Sequence, residues 1–301
     1  MISSQASPLK RPVHWFSRAV TSLTDTRNRY CTSSGGARKR SSRNKVLLVR
    51  CHFWVMLLLA ACLPNIAIAK EFLTIAVASN FTATAHEIAA KFTAATDVGV
   101  RISAGSTGKL YAQIVNGAPF DVYLAADAMR PELLEKSGHA VIGTRFTYAI
   151  GALVLWSQDA GLRGQDCRDV LRRGDYNHVA LANPQTSPYG QAARDVLVAA
   201  GLWESASARA VFGENIMQTL QFVATGNATL GFVARAQVVN DRFDEPSCAW
   251  SVPGSLHSEL RQQAVILSGS TKTRVAQQFL QYLRSSEATE ILNRHGYTIS
   301  Q

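Results

Sequence analysis

After residue 70 the chain alternates short, nearly unbroken apolar runs with stretches whose apolar positions recur every three or four residues. That alternation predicts strands interleaved with helices, an α/β protein. The first run, Phe72-Leu73-Thr74-Ile75-Ala76-Val77-Ala78, is continuous enough for a strand buried on both faces. Ser79-Asn80 follows as a turn and cap, and Ala83, Ala85, Ile88, Ala89 and Phe92 mark a helix. A second strand is expected over 98–103, then a turn at Gly105-Ser106-Thr107-Gly108 and a helix carrying Leu110, Ile114 and Val115 that stops at Asn116-Gly117. Residues 121–125 read as a third strand, and 129–137 as a helix closed by Gly138.

The pattern then changes. Residues 147–156 form an extended run too long for an ordinary strand, which predicts one segment passing from one lobe to another. A second strand–helix set follows: a strand over 178–182, the loop Asn183-Pro184-Gln185-Thr186-Ser187-Pro188-Tyr189-Gly190, and a helix through Ala200. A helix over 214–225 and a strand over 229–234 complete it. The extended run 263–268 reads as the return crossing, and two helix patterns, 276–283 and 288–294, end the chain. The expected organisation is a leader over 1–69, a first lobe over 70–150, a second over 151–264, and a C-terminal part of the first lobe over 265–301.

Charge sharpens this division. The formal net charge is +10, but eleven of the 31 Lys and Arg and only one of the 21 acidic residues, Asp25, fall in 1–69. Twenty of each sign remain in the body, which therefore lacks the broad basic field that attracts nucleic acid. A near-neutral body must also hold any anion locally. The leader has a basic stretch, Arg38 to Arg50, then the apolar run Val55-Met56-Leu57-Leu58-Leu59-Ala60-Ala61-Cys62-Leu63, too short for a membrane span. Ala67-Ile68-Ala69 supplies the small residues a signal peptidase needs, so cleavage is expected after Ala69, with export to the periplasm. Leu59-Ala60-Ala61-Cys62 also fits a lipobox, which would anchor the chain at Cys62. In the body only Cys167 and Cys248 remain, and an oxidising compartment permits either a disulfide or two separate thiols.

The candidate chemistry lies in the turns. In doubly wound sheets ligands bind beyond the carboxyl ends of strands, at helix starts, where unpaired N–H groups and the helix dipole attract an anion without a formal cation. Ser79-Asn80, Ser106-Thr107 and the turn before Tyr189 each offer a backbone N–H with a side-chain donor. Taken singly they read as helix caps or turns, and Ile216 within Gly213-Glu214-Asn215-Ile216 reads as core. Gly105 to Lys109 is not a phosphate loop, since Ser103 stands where that motif needs Gly and Leu110 follows the lysine. No Gly-x-Ser-x-Gly elbow is present, and His86, His139, His178, His257 and His295 fall apart from these turns, which disfavours a hydrolase.

In order and spacing, several segments together resemble the periplasmic molybdate-binding proteins: Ala76-Val-Ala-Ser-Asn-Phe-Thr82, Ala104-Gly-Ser-Thr-Gly108, Ala125-Ala-Asp127, Asn183-Pro-Gln-Thr-Ser-Pro-Tyr-Gly190, Gly213-Glu-Asn-Ile-Met-Gln218 and Gly296-Tyr-Thr-Ile299. The resemblance covers 70–301. It implies the two-lobed, type II periplasmic-binding-protein fold, each lobe a mixed sheet flanked by helices. It implies a binding protein rather than an enzyme, without a cofactor, and a monomer that hands molybdate or tungstate to an ABC transporter permease in the inner membrane. The ligand set carried over is Ser79, Asn80, Ser106 and Thr107 from one lobe, with the backbone N–H groups of Tyr189 and Ile216 from the other. Some relatives place a tyrosine hydroxyl where this chain has Ala234, and Asn80 is the expected replacement. Neutral donors suit molybdate, tungstate and sulfate, which are fully deprotonated at neutral pH, better than phosphate, which retains a proton. The alternatives left open are a sulfate or other oxyanion carrier on the same fold, a hydrolase, and a regulatory ligand-binding module.

Overall fold

The apolar runs assemble into two five-stranded sheets joined by two crossings. The computed structural model describes residues 71–239, 243 and 245–299, so the expected leader, its cleavage point and Cys62 lie outside the described residues. The first lobe opens with β1 (Phe72–Ala78), α1 (Thr82–Thr96), β2 (Gly99–Gly105), α2 (Thr107–Val115), β3 (Val122–Leu124), α3 (Met129–Lys136) and β4 (Phe146–Gly151). Ala152 alone separates β4 from β5 (Leu153–Ser157), where the second lobe begins. It continues through α4 (Cys167–Arg173), β6 (Val179–Ala182), α5 (Pro188–Ala199), α6 (Trp203–Ser207), β7 (Ala210–Gly213), α7 (Ile216–Ala224), β8 (Leu230–Ala234), α8 (Arg235–Val238) and β9 (Cys248–Ser251). Then β10 (Leu260–Ile266) returns to the first sheet, followed by α9 (Thr273–Leu283) and α10 (Ser286–Arg294).

The two sheets share one plan. The first runs β2-β1-β3-β10-β4 and the second β7-β6-β8-β5-β9. In each, three parallel strands linked by helices are extended by antiparallel strands from the crossings. The inner parallel strands are largely buried while the edge strands β2 and β7 are partly exposed, which is why β1 and β6 read as nearly unbroken apolar runs. In the first lobe Leu73, Ile75 and Val77 pack with Phe92 of α1 and Phe279 of α9, while Leu110, Tyr123, Leu134 and Val265 fill the opposite face.

The single run expected over 147–156 is two strands in different sheets. The return crossing also begins earlier than expected. Leu260 already pairs with Gly151, so residues 260–264, assigned from sequence to the second lobe, belong to the first sheet. The glutamines Gln262 and Gln263 interrupt the apolar run there and hide the strand's start. They also sit at a register shift: Gln262 opposes Ala149 and Gln263 opposes Thr147. The chain end is tied to the crossing as well, because Ile150 and Thr298 exchange backbone hydrogen bonds of 2.7 and 3.1 Å. Cys167 and Cys248 form a disulfide with Cα atoms 5.4 Å apart, joining the start of α4 to β9 and settling the pairing that sequence left open.

Candidate functional site between the lobes

The junction between the lobes collects the ends of strands and the starts of helices from both sheets. One apolar cluster holds Ala78 and Ala126 from the first lobe with Ala182, Tyr189, Ile216 and Ala234 from the second. The turn Ser79–Phe81, a tight helical turn that runs on into α1, packs on α7. All six residues expected from sequence to bind are buried: Ser79, Asn80, Ser106, Thr107, Tyr189 and Ile216. Buried polar residues at a cleft need partners, and how each is satisfied separates structural roles from available donors.

Ser187 and Asn215 behave as ordinary caps. The Ser187 hydroxyl accepts from the N–H of Gly190 at 3.4 Å, and Asn215 Oδ1 accepts from the N–H groups of Met217 and Gln218 at 2.9 and 3.1 Å. Neither cap takes the N–H of Tyr189 or Ile216, which occupy the first turns of α5 and α7. Ser106 stands at the same position before α2, yet makes no side-chain cap. Its hydroxyl is buried and has no hydrogen-bond partner. Next to it, Thr107 Oγ1 accepts from the N–H of Ala126 at 3.3 Å, which leaves its own proton to donate elsewhere. The Thr107 carbonyl is held by Tyr123 Oη at 2.7 Å.

Asn80 departs from expectation. Its side-chain amide donates to Gln262 Oε1 at 3.0 Å and to Tyr297 Oη at 3.1 Å, so both amide hydrogens are directed at protein acceptors. The side chain is therefore not a spare donor standing in for a hydroxyl at Ala234. What the turn has left to offer is backbone N–H and the Ser79 hydroxyl.

No formal charge enters this group of residues. Tyr123, Tyr148, Tyr189 and Tyr297 are all buried, and that burial raises each phenol far above its ordinary value, so they remain neutral. Charges appear only at the mouth. Asp127 pairs with Arg130, and burial outweighs the guanidinium to raise that carboxyl. Arg130 also reaches across the cleft to the carbonyl of Gln185 at 3.2 Å, and Lys109 pairs with Glu214 of the other lobe. The lobes also meet where the N–H of Gly108 donates to the Thr186 carbonyl at 2.8 Å.

The chain matches the family model of the bacterial extracellular solute-binding proteins over residues 73–298. It belongs to that family. This solute-binding protein is 48% identical over 223 residues to the molybdate-binding protein ModA of Azotobacter vinelandii, covering 74% of this chain and 88% of that one. It is 44% identical over 222 residues to the molybdate-binding protein ModA of Rhodobacter capsulatus, covering 74% and 86%. Among solved structures, the periplasmic molybdate-binding protein of Azotobacter vinelandii superimposes with a TM-score of 0.73 at 39% identity, covering 76% of this chain and 100% of that one. The two-lobed fold of the solute-binding protein is thus the one the resemblance implied. Sequence reasoning missed Gln262 and Tyr297, which bond the Asn80 side chain, and Tyr148, which bonds Gln262. The available signal was a pair of glutamines inside an otherwise apolar strand, Leu260-Arg-Gln-Gln-Ala-Val-Ile266.

Proposed function

We propose that this protein captures molybdate or tungstate between its lobes and delivers it to the permease of an ABC importer. The observation that carries the reading is Ser106: a buried hydroxyl at a helix start that neither caps the helix nor meets any protein partner. A group of this kind is costly to bury unless something else accepts its hydrogen bond. In the proposed site Ser79 and the N–H of Asn80 donate from the first turn, Ser106 and Thr107 from the second, and the N–H groups of Tyr189 and Ile216 from the other lobe. Such donors match a fully deprotonated tetrahedral dianion, and bonds to a charged oxygen are about twice as strong as neutral ones. The metal enters as its oxyanion and is held through its oxygens, so no resident cofactor is needed.

Donors divided between lobes reach the anion together only when the lobes are shut, so the ligand biases closure and the permease reads the closed shape. The relatives are solute-binding proteins, which supports a carrier without catalysis; in the proposed function it acts as a monomer in the periplasm after cleavage following Ala69. Calorimetry with molybdate, tungstate, sulfate and phosphate tests the reading. Tight binding of the first two with weak binding of the others is expected. A preference for sulfate, or no binding of any oxyanion, would overturn it. The mass of the exported protein checks the cleavage point against a lipid on Cys62.

A further inference from the structure

Gln262 is completely buried in β10, and its carboxamide is used on both sides. Oε1 accepts from Asn80 Nδ2 and from Tyr148 Oη, each at 3.0 Å. Nε2 donates to Tyr189 Oη at 3.1 Å. Asn80 and Tyr189 are therefore joined through one side chain, although they lie in different lobes. Both residues also belong to the proposed anion site, where each contributes through its backbone. Asn80 is fixed further by Tyr297, whose hydroxyl donates to the Asn80 carbonyl at 3.0 Å.

Two independent features serve this link. The register shift between Gln262 and Gln263 turns the neighbouring glutamines to separate tasks. Gln263 pairs instead with Thr147 and Arg145, at 3.1 and 2.9 Å. The second feature is Gly151, at the crossing between the lobes. A Cβ there would lie 2.2 Å from Tyr189 Oη and 2.7 Å from Gln262 Nε2, so only glycine leaves room for the tyrosine to reach the glutamine.

We infer that Gln262 is a positioning residue that sets the span of the anion site, by fixing the lobe-one turn at Asn80 relative to the lobe-two helix start at Tyr189. The inference rests on the oxyanion reading and extends it to selectivity. Molybdate is larger than sulfate, and a site made of backbone donors discriminates between them by the separation of its two halves. A carboxamide is suited to the task because it accepts twice at one end and donates at the other. A methionine of similar length would fill the space and make none of the three bonds.

The test measures molybdate and sulfate binding by calorimetry for the wild type, Gln262→Met, Tyr189→Phe and the double variant. Tyr189→Phe removes one hydroxyl and leaves the N–H that faces the anion. Unliganded melting curves establish that each variant is folded, and if Gln262→Met does not fold, Tyr189→Phe alone carries the test. Each single change is expected to weaken molybdate binding by about tenfold, in line with the loss of a buried hydrogen bond, and to lower the molybdate-to-sulfate ratio. The double variant should bind no more than roughly twofold worse than the weaker single, because both changes break one link. Wild-type affinity and ratio in Tyr189→Phe, or losses that multiply in the double variant, would overturn the inference while leaving the function standing. A wild type that binds no oxyanion would remove both.

Discussion

Replacing Ser106 with alanine should move affinity and stability in opposite directions. At an ordinary N-cap the change costs about 1 kcal/mol of stability, because the helix loses a side-chain acceptor. Ser106 makes no such bond, so nothing of that kind is lost. What disappears is a buried hydroxyl without a partner, a group that costs roughly 1–3 kcal/mol when it stays dry. Water entering an open cleft relieves part of that cost in the unliganded protein, so the gain in stability should lie between zero and about 1 kcal/mol. Binding behaves differently. A hydrogen bond to a charged oxygen contributes about 1.5–3 kcal/mol, so molybdate affinity should fall by about 10- to 150-fold. Calorimetry with molybdate and urea unfolding without it, on the same two proteins, measure the pair of changes. A variant that loses stability and keeps its affinity would show that Ser106 is a structural hydroxyl, and the reasoning from its unpartnered state would fail.

Other consequences can be checked separately. In Gly108→Ala the added Cβ would stand 3.0 Å from both Cα and O of Thr186, so closure should be strained by about 1–3 kcal/mol; molybdate affinity should drop while the unliganded melting curve stays unchanged. Removing the Cys167–Cys248 disulfide by Cys248→Ser should lower stability by about 2–4 kcal/mol in urea unfolding, since the bridge closes a long loop between residues 81 apart in sequence. Glu87 is held below its ordinary value chiefly by its hydrogen bond with His295, which burial opposes and the charge of Arg294 reinforces. The folded state thus binds that proton less readily than the unfolded chain. Its stabilising contribution is complete above the ordinary carboxylate range and is lost as pH falls through it, so Glu87→Gln should flatten the acid limb of a melting-temperature profile.

The fold was legible where burial is uniform. β6 is apolar throughout and β1 is apolar apart from Thr74 because they lie inside their sheets, and the long run after residue 146 revealed a crossing because no single strand of that length fits one lobe. Short elements escaped. α6 and β7 have five and four residues, and β7 is only partly buried, so neither carries enough periodicity to stand out. The candidate site was legible only as a set of hydroxyl and amide residues before helices, and sequence could not tell its members apart. Ser187, Asn215 and Ser106 occupy equivalent positions, and two of them cap while one does not. That difference lies in where a side chain points. The same limit hid Gln262, since a polar residue in an apolar run reads as the end of burial, whereas here it is buried with three polar partners.

These differences bear on how closure is controlled. The contacts crossing the lips of the cleft are weak. Lys109 and Glu214 are each more than half exposed, and such pairs contribute about 0–1 kcal/mol. Arg130 adds one exposed bond from its guanidinium to the Gln185 carbonyl, and the Gly108–Thr186 bond and, deeper at the crossing, the Gln262–Tyr189 bond are single hydrogen bonds between neutral groups, worth about 1 kcal/mol each. An oxyanion accepting several charge-assisted bonds, at about 1.5–3 kcal/mol apiece, outweighs all of them. A shut form held mainly by its own lip contacts would present itself to a permease without cargo. In the proposed mechanism, weak lips and donors divided between the lobes make the shut form depend on the anion, so the arrangement that would give affinity would also make the closed shape a dependable report that the site is filled.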